Sequence, residues 1–363
     1  MSLSGRQQPL AAQQADQPID LVNYARETTI KDMKRLPQGT IKLVAPAKVN
    51  LLLGIGNRRD DGYHDVFTVM HALMLHDVLY MHSCAPDDPT CGMLVDAELE
   101  ATSDMPGAEA LRVRVSCTGS AQIEAPDVAP EDNLVAKAVF SLARELAVDD
   151  VPLAEQVVEI KVEKHIPSQA GLGGGSSDAA AALVGAAHLW GIGADHPAII
   201  RAARSIGADV AFFLYGGCAR LSGSGDIFER ALAPRNESVV LIRPDVGLST
   251  AEVYRSFDAM GEALDEQVCE LARQAEAASE VTLYNNLQAP ACMLLPELSQ
   301  VFSWIEKQPQ AAESLLSGSG SAVFVVCGTF EQARKLAASA KQQGWWARTT
   351  TFSSLSAAVV PNR

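Results

Sequence analysis

The heptapeptide Gly171-Leu172-Gly173-Gly174-Gly175-Ser176-Ser177 is the most informative stretch of this sequence. It follows an alternating apolar segment, residues 157–162, and precedes an alanine-rich segment with helical spacing, residues 178–190. Four glycines within five positions leave room for a bound group to approach the backbone. A helix that begins directly after such a loop presents unpaired N–H groups and its positive dipole end to an anion. The order strand, glycine loop, helix therefore predicts a phosphate-binding site.

Two better-known glycine motifs do not fit this loop. A Walker A loop ends in Gly-Lys-Ser/Thr, and no lysine follows these glycines. A dinucleotide-binding fingerprint needs a third glycine at the position that Ser176 occupies. A flexible turn without function is disfavoured, because glycine-rich linkers rarely run straight into an apolar helix. Ser176 and Ser177 have hydroxyls that either cap the helix or bind phosphate and metal oxygens.

Length and composition set the broad class. The chain has 363 residues, which suits two domains, and its 48% hydrophobic and 20% charged residues are typical of a globular protein. The net charge of −15 disfavours nucleic acid as a partner but permits a small anionic substrate. The sequence lacks a secretory signal, and it has no apolar run near the roughly 18 residues that span a bilayer. We therefore expect a cytoplasmic protein that does not bind membranes.

The seven cysteines are scattered, odd in number and without a CxxC pair. A disulfide framework or a zinc site would need regular, closer spacing. The sequence therefore predicts free thiols in a reducing compartment.

Hydrophobic patterns predict both strands and helices along the chain, and Pro46 interrupts the first strand. The predicted strands are residues 40–44, 49–55, 66–79, 111–115, 157–162, 210–221, 239–242 and 323–326. The predicted helices are residues 133–146, 178–190, 196–205, 296–306 and 330–343, with further helices near 250–277. This pattern indicates an α+β protein with a polar, partly disordered extension at 1–38, an N-terminal domain at 39–237 and a C-terminal domain at 238–363.

Five segments, taken together, resemble one enzyme family. They are Ala45-Pro46-Ala47-Lys48-Val49-Asn50-Leu51, Arg59-Asp60-Asp61-Gly62-Tyr63-His64, residues 171–178, Gly207-Ala208-Asp209-Val210 and Ser317-Gly318-Ser319-Gly320-Ser321. In this order they are similar to the 4-diphosphocytidyl-2-C-methyl-D-erythritol kinases of the GHMP superfamily, over roughly residues 40–360. The glycine loop points to the superfamily, and the segments around Lys48 and His64 narrow it to this family. Ala211 departs from the family, which often has proline there, and residues 1–38 and 82–130 are longer than usual.

The resemblance implies a two-domain fold with a left-handed β-α-β unit and an active site in the cleft between the domains. It also implies ATP, a divalent ion that is normally Mg²⁺, and phosphoryl transfer to the C2 hydroxyl of the cytidine-diphospho-methylerythritol substrate. Lys48 and Asp209 would be the catalytic pair, with Asp209 as general base. The ATP site would comprise Asn133, Lys164, Pro167 and residues 171–177 (Gly171, Leu172, Gly173, Gly174, Gly175, Ser176 and Ser177). The substrate would contact Asn50, Tyr63, His64, Thr250 and Tyr254, with the cytosine between the two tyrosine rings.

Two alternatives stay open on the sequence. One is a related GHMP kinase that acts on mevalonate, homoserine or a sugar, and the segment around Tyr63 and His64 argues against it. The other is a non-catalytic sensor with this fold, which would have no need of both Lys48 and Asp209 beside an intact glycine loop.

Overall fold

The structure is a computed structural model that describes residues 36–361, except Asp61, Ala121 and Glu262. Most of the predicted extension at 1–38 thus lies outside the described residues. The β-strands are β1 (Ile41–Arg58), β2 (His64–Cys84), β3 (Glu100–Ala101), β4 (Leu111–Gly119), β5 (Gln156–Lys164), β6 (Cys218–Ser222), β7 (Ile227–Leu232), β8 (Ser238–Arg243), β9 (Tyr284–Asn285), β10 (Glu313–Leu316), β11 (Val323–Cys327), β12 (Trp346–Thr351) and β13 (Ala358–Val359). The α-helices are α1 (Leu134–Val148), α2 (Gly174–Leu189), α3 (Pro197–Ile206), α4 (Ala208–Tyr215), α5 (Thr250–Met260), α6 (Glu266–Gln274), α7 (Gln288–Leu294), α8 (Pro296–Ile305) and α9 (Phe330–Gln342).

The larger sheet is built on the long antiparallel hairpin of β1 and β2. Its strand order is β13-β1-β2-β5-β4-β3, and β6, β7 and β9 join it at the side. The predicted break at Pro46 is wrong, because β1 runs through it as one strand of 18 residues. On one side of β1, its partner β13 pairs only with Leu43 and Val44, so no ladder bond there needs the N–H that proline lacks. Just beyond, the register shifts between Pro46 and Lys48, and the Lys48 amide donates to the Leu172 carbonyl at 3.0 Å.

A β-α-β unit places the glycine loop. Strands β4 and β5 are parallel, and α1 connects them along the chain. Helix α2 follows β5 through the loop, and it packs against α1 and the hairpin. Its small side chains allow this close packing: a Cβ added at Gly185 would lie 2.3 Å from the Met81 sulfur. Since α2 is fixed in the core, its N-terminus has a fixed place.

The smaller sheet is antiparallel, in the order β10-β11-β8-β12, with α9 packed against β8 and β12. The chain then returns to the larger sheet, where β13 pairs with β1, as β9 does earlier in the sequence. The α+β class is thereby confirmed. The domain boundary between residues 237 and 238 stays a prediction, since segments on its C-terminal side contribute strands to the larger sheet.

Two further expectations are wrong. Residues 210–221 were expected to be strand-like, but the structure has helix α4 followed by β6. Its aromatic residues Phe212 and Phe213 favour strands by propensity, yet both are fully buried in the core, so packing decides the conformation. The cysteines are also not all free, because Cys84 forms a disulfide with Cys91.

No helix in the described part of the chain is long and apolar enough to cross a bilayer.

Candidate active site

A cavity of about 740 Å³ collects the residues that the sequence singled out. Its walls come from β1, β2, the glycine loop, the start of α4 and α5, and the turn at 317–319. Of the predicted site residues, those lining it are Lys48, Asn50, Asn133, Lys164, Pro167, Gly171, Leu172, Gly173, Gly174, Gly175, Ser176, Asp209, Thr250 and Tyr254. Tyr63, His64 and Ser177 are described but do not line this cavity.

The glycine loop ends as the first turn of α2. Gly171 and Gly173 both have φ of +72°, a conformation that favours glycine, and Gly173 is the N-cap. No side chain caps the helix. The amide of Ser177 is bonded to the Gly173 carbonyl at 2.8 Å, so the amides of residues 174–176 precede the first intrahelical bond. These three N–H groups and the helix dipole form a site for an anion on the cavity wall.

The second glycine-serine turn, residues 317–321, packs directly on the first loop. The Ser317 hydroxyl donates to the Gly171 carbonyl at 2.9 Å. A Cβ on Gly171 would lie 1.9 Å from the Ser317 carbonyl oxygen, and one on Gly318 would lie 3.4 Å from the Lys48 ammonium. Asn285 holds this turn by donating to the carbonyls of Leu316 and Gly318 at 2.9 and 2.8 Å. The turn at 317–321 therefore fixes the position of the glycine loop.

Lys48 and Asp209 form an ion pair beside the loop. The Lys48 Nζ lies 3.3 Å from Asp209 Oδ2, with the lysine side chain 4% and the aspartate side chain 32% exposed. Asp209 lies in the first turn of α4, where the helix dipole favours a negative charge. Lys48 also donates to Asn50 Oδ1 at 2.7 Å, so both side chains lie on one face of β1, where residues two apart point to the same side. The carboxylate is therefore oriented by Lys48 and open to the cavity.

Lys164 is held between two buried carboxylates, Asp77 and Asp178, each with an oxygen 2.5 Å from its ammonium. Burial opposes the charge on Lys164, but the two carboxylates outweigh burial and raise its pKa. Burial raises the pKa of Asp178 to about 8, although Lys164 acts against it. The raised pKa of Lys164 and the raised pKa of Asp178 are consistent with each other. One ammonium cannot neutralise two buried carboxylates, so Lys164 keeps its proton more strongly and Asp178 takes one up more easily. The second oxygen of Asp77 accepts the amides of His165 and Ile166, at 2.5 and 2.8 Å.

Tyr254 and Thr250, in the first turns of α5, also line the cavity. Burial raises the pKa of Tyr254 to about 12, with a contribution from the charge of Asp209. Thr250 Oγ1 lies 2.9 Å from the Ser319 hydroxyl. The His64 ring packs behind Tyr254 with a centroid distance of 5.5 Å, and its Nε2 lies 2.8 Å from Asp258 Oδ1. Tyr63 is 68% exposed and does not line the cavity, so the structure brings Tyr254 and Thr250 together but leaves Tyr63 apart.

Asn133 combines two roles. It caps α1, where its Oδ1 accepts the Val135 amide at 2.9 Å, and it lines the cavity near Lys164 and Pro167. Its Nδ2 donates to the Cys117 sulfur at 4.0 Å, which leaves the second N–H of this amide to face a ligand.

Sequence reasoning missed Thr68, Asp77, Asp178 and Asp258. Asp77 had a signal, since it is an acidic residue within an apolar strand segment, and such a residue needs a buried partner. Asp178 directly follows the glycine loop, but nothing local indicates that it pairs with Lys164. The partners of Thr68 and Asp258 lie on other elements, so their sequence positions carried no signal.

The chain is similar in sequence to known kinases. Residues 133–217 match the GHMP kinases N-terminal domain, and residues 260–344 match the GHMP kinases C-terminal domain. The chain is 34% identical over 303 residues to the 4-diphosphocytidyl-2-C-methyl-D-erythritol kinase of Desulfitobacterium hafniense, covering 82% of this chain and 91% of that protein. It is 35% identical over 317 residues to the enzyme of the same name from Xanthobacter autotrophicus, covering 84% and 97%.

Solved structures give the same result. A crystal structure of 4-(cytidine 5'-diphospho)-2C-methyl-D-erythritol kinase is similar with a TM-score of 0.60 and 29% identity, covering 86% of this chain and 99% of that one. Homoserine kinase from Cytophaga hutchinsonii has a TM-score of 0.61 but only 18% identity, so it supports the fold alone.

Proposed function

Because the chain belongs to the family of 4-diphosphocytidyl-2-C-methyl-D-erythritol kinases, we propose that it transfers the γ-phosphoryl group of ATP to the C2 hydroxyl of that substrate. The observation that carries this proposal is the Lys48–Asp209 pair beside the glycine loop in one cavity. Phosphoryl transfer needs positioning and charge neutralisation more than covalent chemistry, and this cavity offers both.

In the reaction, the hydroxyl oxygen of the substrate forms a bond to the γ-phosphorus of ATP, and Asp209 accepts the proton of that hydroxyl. ADP leaves as this bond forms. Asp209 is suited to this role because its carboxylate faces the cavity and is oriented there by the ion pair with Lys48. The Lys48 ammonium, which also lies beside Gly318, offsets negative charge on the transferring group.

The glycine-loop end of the cavity would bind ATP. The free amides of residues 174–176 suit its phosphates, and Asn133, Lys164 and Pro167 lie along the same wall. Within the described residues, no three acidic, histidine or cysteine side chains are grouped to hold a metal ion. That fits Mg²⁺, which in kinases takes most ligands from phosphate and water. The hydroxyl of Ser176 would hold it, because this serine lines the cavity at the start of α2, whereas Ser177 Oγ is buried outside the cavity wall. Mg²⁺ supplies charge neutralisation when bound.

The opposite end would bind the cytidine half of the substrate. Asn50, Thr250 and Tyr254 line it, and Tyr254 has a ring face suited to stacking on a base. His64 and Tyr63, on the β1–β2 hairpin tip, would close the site from outside the cavity.

A substrate panel tests the proposal. ATP consumption is measured with the cytidine-diphospho compound, mevalonate, homoserine and galactose, and without acceptor. We expect turnover only with the cytidine compound. Efficient turnover of mevalonate or homoserine instead would make this a related kinase, and ATP binding with no turnover of any acceptor would make it a sensor.

The Asp209→Asn variant tests the mechanism. It should lose roughly 10²–10⁴-fold in kcat while its affinity for ATP changes little. The exposed Asp195 provides the matched control, and Asp195→Asn should behave as wild type. A wild-type kcat in folded Asp209→Asn enzyme would remove Asp209 from the mechanism.

A further inference from the structure

A directed chain of hydrogen bonds runs behind the Lys48–Asp209 pair. Lys48 Nζ donates to Asn50 Oδ1 at 2.7 Å, and Asn50 Nδ2 donates to Thr68 Oγ1 at 2.9 Å. The Thr68 hydroxyl in turn donates to the Leu52 carbonyl at 2.7 Å. Asn50 is nearly and Thr68 fully buried, so each of these groups depends on its protein partners.

The chemistry of the groups fixes the direction of this chain. A carbonyl oxygen only accepts, so the single proton of the Thr68 hydroxyl must go to Leu52. Thr68 is then left as an acceptor towards Asn50, which must present its amino group to Thr68. The amide oxygen of Asn50 therefore faces the Lys48 ammonium. If the amide were rotated by half a turn, two positively polarised groups would meet.

The backbone is shaped to allow this chain. A register shift in the β1–β2 ladder lies between Asn50 and Leu52. Such a bulge re-aims neighbouring side chains and frees backbone groups from the regular ladder. Here it coincides with the side-chain bond to the Leu52 carbonyl, while Lys48 and Asn50 stay on the cavity face.

We propose that Thr68 is a positioning residue for the Lys48–Asp209 pair, because its hydroxyl sets the orientation of the Asn50 amide that holds the Lys48 ammonium. This inference rests on the proposed function, in which Lys48 acts on the transferring phosphoryl group. Thr68 lines the cavity but has no proton left for a ligand, so it acts through Asn50 and Lys48. Asn50 accordingly holds Lys48 in addition to its predicted contact with substrate.

The test is the Thr68→Val variant, which keeps the shape and removes the hydroxyl. It should lower kcat by about tenfold to a hundredfold, the range of a lost hydrogen bond to a charged group, here the Lys48 ammonium, with unchanged KM for ATP. Thr68→Ser keeps the hydroxyl and should restore kcat. Thr350→Val is the matched control: Thr350 is another buried strand threonine bonded to backbone, outside the cavity wall, and its loss should affect stability without affecting kcat.

A double-mutant cycle shows whether Thr68 acts through Asn50. If it does, adding Thr68→Val to Asn50→Ala should cause no further loss of kcat, whereas independent effects would multiply. Multiplying effects, or a raised KM for the cytidine substrate with unchanged kcat, would overturn the inference.

The Lys48→Met variant distinguishes a failure of this inference from a failure of the proposed function on which the inference rests. Turnover by Lys48→Met at the wild-type rate would contradict the proposed role of Lys48 and overturn the inference with it. An inactive Lys48→Met beside a wild-type kcat in Thr68→Val would overturn the inference alone.

Discussion

Gly171 joins two loops at a point where a side chain has no space, because a Cβ there would lie 1.9 Å from the Ser317 carbonyl oxygen. Its φ of +72° adds a second reason for glycine. Gly191 separates the two effects, since it has a φ of +68° but no atom within 4 Å of an added Cβ.

We therefore expect Gly191→Ala to lower the free energy of unfolding by about 1 kcal/mol, the cost of a left-handed backbone at alanine. Gly171→Ala should lower it by more than twice that amount, because backbone must also move. It should also weaken ATP binding, which Gly191→Ala should leave unchanged. Denaturant unfolding and calorimetry measure the two quantities. Equal losses of stability in both variants would contradict the close packing of the two loops.

His71 is a buried histidine held in its neutral form. Its Nδ1 donates to the Ala72 carbonyl at 2.9 Å, and its Nε2 accepts the Arg235 amide at 2.9 Å. Burial lowers the pKa of His71 to about 4, against 6.5 in an exposed histidine. Since the unfolded chain binds this proton more readily, the stabilising contribution is present above pH 6.5 and is lost as the pH falls towards 4.

Wild-type protein should thus lose up to about 3 kcal/mol of unfolding free energy through His71 between pH 7 and pH 4. His71→Gln should be less stable at pH 7 but lose less on acidification, since glutamine does not titrate. His188 is exposed, and His188→Gln should keep the wild-type dependence. Urea unfolding at pH 7 and 4.5 gives the comparison, and parallel curves for wild type and His71→Gln would exclude this role.

At the level of secondary structure, Asp77 on β2 connects the β1–β2 hairpin to the end of β5 and to the start of the glycine loop. One oxygen receives Lys164 at 2.5 Å, and the other accepts the amides of His165 and Ile166. Asp178 on α2 also binds Lys164, but its Oδ1 has no hydrogen-bond partner among the described residues. Asp77 thus carries three contacts where Asp178 carries one.

Asp77→Ala should lower the unfolding free energy by about 3–5 kcal/mol, the range for breaking a buried ion pair. Asp178→Asn should cost much less, because Lys164 keeps Asp77 and asparagine is neutral, as Asp178 with its raised pKa largely is at pH 7. Asp77→Ala should also weaken ATP binding by loosening the loop. Thermal denaturation with and without ATP tests both statements, and an equal cost for the two substitutions would show that the carboxylates are equivalent.

The elements also show what the sequence could and could not predict. Helices α1, α3, α8 and α9 have local periodicity and α2 is rich in alanine, and the structure has a helix at each predicted place. Helix α4 has no such signal, since the propensities of Phe212 and Phe213 indicate a strand. The packing that buries both residues involves α2, which is distant from any local pattern in their own segment. The pair of Lys164 with Asp77 joins residues 87 positions apart, and only the β2–β5 pairing brings them together. The glycine loop could be predicted from the sequence, because phosphate binding requires a local backbone shape that consecutive residues determine.

At the scale of the whole molecule, the two predicted domains share strands and core. One cluster of buried side chains includes Val49 and Leu51 from β1 together with Val239, Leu241 and Phe324 from the smaller sheet. Strands β9 and β13 come from the C-terminal part of the chain but pair with β1. The active-site cavity has walls from both parts, so its geometry depends on this shared packing.

We expect the molecule to unfold in a single transition, because separating the two sheets would expose a common core. The four tryptophans allow a test. Trp190 ends α2 beside the larger sheet, while Trp304, Trp345 and Trp346 pack with the smaller sheet and its helices. In Trp190→Phe, fluorescence reports the smaller-sheet region alone, whereas far-UV circular dichroism includes α1 to α4. The two signals should give the same denaturant midpoint, and the wild type should do so as well. A fluorescence transition separated from the circular dichroism transition in Trp190→Phe would show that the smaller sheet unfolds independently, and the cavity would then be an interface between two autonomous domains.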